Sequence, residues 1–124
     1  MDAEKLSIRP HIKNIEAVES KKPEETFQNQ TLRPILKLQH DLLVAHLQDY
    51  LRRNKIDMLD FNSTRKRELL ANILKKDIRF KTEIRGMVLW HFTVDEYAIY
   101  QEMSTEVNKR IGAMVEERLH SVFL

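Results

Sequence analysis

Five polar residues stand where helical spacing turns them toward apolar side chains: Gln39, His46, His91, Gln101 and Ser104. In the run HDLLVAH, coiling brings His46 to the side of Leu42, Leu43 and Tyr50, with Gln39 roughly two turns back. His91 stands in the same relation to Met87 and Val88, four and three residues before it. Gln101, Ser104 and Asn108 fall among Tyr97, Ile111 and Val115. A polar group withdrawn from water without a partner costs about 1–3 kcal/mol. These residues therefore either hydrogen-bond one another as a structural network or surround a small polar cavity between helices, where bundles commonly hold ligands.

Other chemistries find less material. Di-iron bundles use a Glu from each of two helices and a Glu-x-x-His from each of the other two. Here Glu-x-x-His occurs once, Glu117 to His120, off the main apolar stripe, and no inward carboxylate accompanies His46 or His91. No metal site follows. Ser104 and His91 could meet across a core, but neither an acidic orienter nor a glycine-rich oxyanion loop is at hand. Neither a phosphate-binding P-loop nor a dinucleotide-binding GxGxxG is present, so no cofactor and no catalytic residue is assigned.

The second candidate is electrostatic. Residues 52–85 hold eleven Lys/Arg against five Asp/Glu, whereas residues 86–124 hold three against six. Arg52, Arg53, Arg65, Lys66 and Arg67 flank a short link, which would bring them to one end of a bundle where nucleic-acid phosphates could bind. Against that, no aromatic residues interleave with the cations and no helix-turn-helix glycine turn is visible. A solvated face, with salt bridges to Asp57, Asp60 and Glu68, is the favoured alternative.

The elements that must carry these residues are helices. A first helix is expected from Thr31, with Pro34 in its first turn, to about Arg53, its apolar face made by Leu32, Ile35, Leu36, Leu42, Leu43, Leu47 and Tyr50. A second is expected after Asn62 or Ser63, carrying Leu69, Leu70, Ile73 and Leu74 inward, and bending or breaking near Lys76-Asp77. A third carries Phe80, Ile84, Met87, Val88 and His91 on one face. FTVDE then gives a capping box, Thr93 with Glu96 three residues on, opening a last helix through Tyr97, Ser104, Ile111, Val115 and Leu119. Met103, Val107 and Met114 form a second apolar stripe on it, which makes it either the central helix or a dimer seam.

The chain has 124 residues, two glycines, three prolines and no cysteine, which leaves little for the turns of an all-β fold and nothing for disulfides or thiolate metal sites. An all-α, up-and-down bundle of about four helices is expected over residues 31–124, preceded by an arm over 1–30, flexible or loosely docked, with helical spacing at Ile12, Ile15 and Val18. No apolar run reaches membrane-spanning length and MDAEKLSIRP lacks a signal-peptide core, so a soluble cytoplasmic protein is expected. The expected function is a homodimeric protein–protein interaction module. A small-ligand or enzyme pocket lined by the five polar residues, and nucleic-acid binding, are the alternatives.

The runs FQNQTLRPILKLQHDLL, LLANILKKDIRFK and GMVLWHFTVDEYAIY resemble a group of small, uncharacterised helical bacterial proteins, some of which carry the label glyoxalase. The resemblance spans residue 27 to about residue 119 and implies a helical fold. The label would imply paired βαβββ modules with His and Glu metal ligands on strands. This chain has no strand alternation and matches no such ligand set, so no functional residue carries over.

Overall fold

The computed structural model describes residues 2–10 and 22–123, and all regular structure among them is helical. The order is α1 (Asp2–Ser7), α2 (Pro23–Phe27), a wide π turn (Gln28–Leu32), α3 (Arg33–Leu38), α4 (His40–Arg53), α5 (Ser63–Lys76), α6 (Ile78–Leu89), α7 (Val94–Glu102) and α8 (Ser104–Phe123). The expected helical spacing at Ile12, Ile15 and Val18 lies outside the described residues.

Short polar side chains set three helix starts. Asn62 Oδ1 accepts the Arg65 N–H at 2.8 Å to open α5, and Asp77 Oδ1 accepts that of Phe80 at 2.9 Å to open α6. Thr93 and Glu96 form the reciprocal box expected from FTVDE, with bonds of 3.2 and 2.9 Å. At the far end of α4 the chain leaves through a Schellman turn. Ile56 N–H bonds to Leu51 carbonyl at 2.9 Å, and Lys55 N–H to Arg52 carbonyl at 3.1 Å. The turn needs a left-handed residue, and Lys55 fills that place with φ 55°.

The first long helix departs from expectation in two ways. It begins at Pro23, not Thr31, because Pro23 sits in the first turn, where a missing N–H costs nothing. Phe27, assigned by sequence to the arm, is thereby a core residue, 5% exposed. Pro34 then disturbs the backbone, since it cannot donate to the carbonyl one turn back and its ring crowds it. The chain widens there: Arg33 N–H reaches back to Gln28 carbonyl, five residues away. A second break follows at Gln39, where the backbone leaves helical angles between α3 and α4.

The last helix is the axis of packing. α8, roughly 30 Å long for its 20 residues, touches α4, α5, α6, α7 and the π turn. Val107, Ile111, Val115 and Leu119 recur every four residues along it and are all buried. Leu43, Leu47, Leu70, Phe80 and Val88 close around them. Met103 and Met114 pack half-buried against the same core, so the second apolar stripe is covered within the chain itself. Leu42 and Tyr97, expected inward, are 54% and 46% exposed. For Tyr97 the reason is the break at Met103, which separates α7 from α8 and ends the helical phase carried back from Ser104. Among the described residues no helix is long and apolar enough to cross a membrane.

Candidate functional site

α4 and α6 lie side by side in opposite directions, and their facing side chains meet in antiparallel register. Gln39 meets His91, Leu42 and His46 face Met87 and Glu83, and Tyr50 reaches Phe80. The seam therefore carries three of the five predicted polar residues. His46 and His91 are nonetheless on the order of 10 Å apart along it, seven to eight residues of helical rise. They cannot share one small ligand contact or one metal ion.

His46 sits in a groove. Its ring stacks on Phe80, centroids 4.9 Å apart and planes 14° from parallel. Glu83 Oε2 approaches Nε2 at 3.5 Å, beyond good hydrogen-bonding distance, while Glu83 Oε1 is bound by Arg79 at 3.1 Å. His46 Nε2 is buried and has no hydrogen-bond partner among the described residues. Leu42, Ala45, His46, Glu83 and Met87 line a cavity of about 400 Å³ here, open on one side.

His91 sits in a wired corner. The Gln39 amide contacts its Nε2, and an amide N–H can donate there only to an unprotonated ring nitrogen. Burial first, and then the Arg9 and Lys5 charges, lower its pKa, consistent with a neutral ring. Around it the segment containing α1 is pinned to the turn between α6 and α7. Arg9 grips Glu96 through both guanidinium nitrogens at 2.7 Å and donates to His91 carbonyl at 2.5 Å. Lys5 Nζ donates to Phe92 carbonyl at 3.0 Å, and Asp2 Oδ2 accepts the Val94 N–H at 3.0 Å. The cations thus cover the negative end of α6 while the anion covers the positive start of α7. Glu96 also accepts from Thr31 at 3.0 Å. Burial pushes the Glu96 carboxyl up, but the Arg9 and Thr93 hydrogen bonds and the Arg9 charge outweigh it, and its pKa is lowered.

The remaining predicted residues stand elsewhere. Gln101 is exposed on α7, a correction that follows from the break at Met103. Ser104 is half-buried at the start of α8, and Asn108 accepts from Tyr100 hydroxyl at 2.8 Å, closing a local bond between α7 and α8. The five residues therefore do not surround one cavity. Of the basic candidates, Arg52 and Arg53 both pair with Asp49, at 2.5 and 2.8 Å. Arg65 lies over the Phe61 ring at 3.8 Å, Arg67 donates to His120 at 3.3 Å, and Lys66 is half-buried. Four of the five already have a local partner.

Two further cavities flank α8. One, about 420 Å³, is lined by Arg67, Ala113, Glu116, Glu117 and His120. The other, about 350 Å³, lies between the π turn and α8 and is lined by Gln28, Arg33, Leu36, Met114, Glu117 and Arg118. Sequence reading assigned no role to Arg33 or Arg118, although Arg110, Met114 and Arg118 share one face at intervals of four. Among the described residues, no three His, Asp or Glu side chains gather as a set able to hold a metal ion. Comparison of the chain with protein-family models, with curated proteins and with solved structures yields no match.

Proposed function

We propose that the protein is a self-associating helical interaction module, an up-and-down bundle of α4, α5, α6 and α8 whose α4–α6 seam is its contact face. The observation that carries this reading is Trp90, 79% exposed at the end of α6. It follows Met87 by three residues, which sets it on the adjoining side of α6 from the open groove. Leu42, 54% exposed, forms the opposite wall. A large exposed indole beside an apolar groove on one face suits a two-fold dimer, in which each copy seats its Trp90 in the other's groove. Burying an indole removes roughly 150–250 Å² from water, about 4–6 kcal/mol at 25 cal/mol/Å². Two such contacts are comparable to the entropy cost of association, so Leu42 and Met87 must contribute as well. The absence of cysteine suits a reducing compartment such as the cytoplasm.

Trp90 is the only tryptophan, so its fluorescence reports this contact directly. Light scattering after size exclusion is expected to give a dimer at tens of micromolar, with tryptophan emission shifting to the red on dilution. Trp90→Ala should weaken the dimer at least tenfold. A monomer whose emission is independent of concentration removes the proposal.

A small-ligand reading of the same groove has one observation in its favour, the buried and unpartnered Nε2 of His46. Such a ligand would bring a hydroxyl or carboxylate to that nitrogen, and His46→Leu would abolish its binding while leaving dimerisation intact. Nucleic-acid binding is the weakest reading, because Arg52, Arg53, Arg65 and Arg67 are engaged locally.

A further inference from the structure

We propose that the cavity between the π turn and α8 binds a small phosphate-bearing anion, gripped by the guanidinium groups of Arg33 and Arg118. The cavity, about 350 Å³, is large enough for a phosphate monoester and too small for a nucleic-acid duplex. Arg33 and Arg118 line it from opposite elements, over an apolar floor of Leu36 and Met114. Neither arginine makes an ion pair with a carboxylate among the described residues, although Arg118 is half-buried. Its closest polar partner is a ring nitrogen, His40 Nδ1, at 3.3 Å.

A half-buried Arg118 guanidinium that faces a second, exposed cation and has no carboxylate ion pair of its own is an unfavourable arrangement unless something negative completes it. Burial first, and then the Arg33 charge, already lower the Arg118 pKa. The planar, multi-donor fork of arginine matches phosphate oxygens two at a time. The local backbone explains why the site exists here. The π turn begins at Gln28, whose side chain is held by Arg110 at 2.5 Å, and ends beside Arg33. A turn of this kind inside a helix often accompanies a functional site, since it re-aims the side chains around it. Glu117 stands on the same wall. It would repel a bare anion and accept from a hydroxyl of an ester, so the chemistry favours a phosphate attached to a hydroxylated carbon skeleton.

The test is titration of the full chain with sodium phosphate and with glycerol 3-phosphate, against sodium chloride at matched ionic strength, read by calorimetry and by melting temperature. Saturable binding is expected for at least one phosphate probe and none for chloride. Tighter binding of glycerol 3-phosphate supports the ester, and tighter binding of free phosphate supports the bare anion. Arg33→Gln and Arg118→Gln should each weaken binding about tenfold, as loss of a charge-assisted contact does. Lys75→Gln, an exposed cation on α5, should leave it unchanged. Arg33 is itself exposed and makes no ion pair among the described residues, so its variant decides the matter even if Arg118→Gln folds poorly. A response that chloride reproduces, or full affinity in Arg33→Gln, overturns the proposal.

Discussion

His91 and His46 occupy the same α4–α6 seam, yet the chain treats them differently. His91 has its ring nitrogen met by Gln39 and its carbonyl met by Arg9, and the surrounding bonds run on to Glu96, Thr93 and Thr31. His46 has a stacked phenyl ring, a glutamate slightly too far away, and a buried nitrogen with no hydrogen-bond partner among the described residues. Both imidazoles were placed inward by the same helical arithmetic. The difference comes from distant sequence, since the arm that completes the His91 corner bonds to residues more than eighty positions away. A largely satisfied network marks a corner built for stability, although Arg9 Nε is buried there without a hydrogen-bond partner among the described residues, and the open groove marks where the molecule still has capacity to bind.

The sharpest way to break the contrast is to remove Glu96. Its side chain and that of Arg9 are 15% and 7% exposed, so the variant leaves a buried guanidinium without its counter-charge. Glu96→Ala is expected to cost about 3 kcal/mol in denaturant unfolding. Removal of Glu83, 38% exposed, should cost less than about 0.5 kcal/mol by the same measurement. The histidines themselves come next. His91→Leu orphans the Gln39 amide and should destabilise by about 1–2 kcal/mol. His46→Leu removes an unpartnered nitrogen from an apolar stack and should stabilise by about 1 kcal/mol. Equal and same-signed effects at the two positions would erase the distinction.

Acid sharpens it further. The pKa of His91 is lowered in the fold, so between its folded value and the ordinary value of about 6.5 the unfolded chain binds more protons. Stability is then fully present above that window and falls as pH drops through it. The Glu96 carboxyl is also lowered, so its contribution is present above the ordinary carboxylate range and is lost at still lower pH. Stability followed from about pH 7.5 to about pH 2.5 should therefore weaken in two stages, from about 6.5 downward and then from about 4 downward. His91→Leu should flatten the first. The smallest expected effect lies away from the seam: Lys55→Gly relieves the left-handed residue of the Schellman turn and should add about 0.5–1 kcal/mol.

Local signals in the sequence suffice where one chemical rule decides the outcome. The Thr93–Glu96 box, the Asp77 break and the Asn62 start each depend on residues within three positions of one another. The row Ile111, Val115 and Leu119 needs only its own periodicity, whereas Val107, placed by sequence on the second stripe, stands buried at the head of that row. The start at Pro23 is not legible locally, because a proline can end a helix or begin one and only the packing of Phe27 tells which. Gln101 misled because one irregular residue, Met103, resets the helical phase. The Arg9–Glu96 pair and the Arg33–Arg118 juxtaposition were not legible at all, since nothing in a linear chain says which distant charges will meet.

The wide turn at Gln28–Leu32 holds one residue more than an ordinary helix would place over the same span. Were the same residues wound as ordinary helix, everything upstream would swing by about 100° around the helix axis. Phe27 would then be carried out of the interior toward solvent, and Gln28 away from Arg110. The wide turn thus absorbs a surplus residue so that two stretches of one helix stay in phase with different neighbours, and deleting that residue should let the backbone regularise with little change on either side.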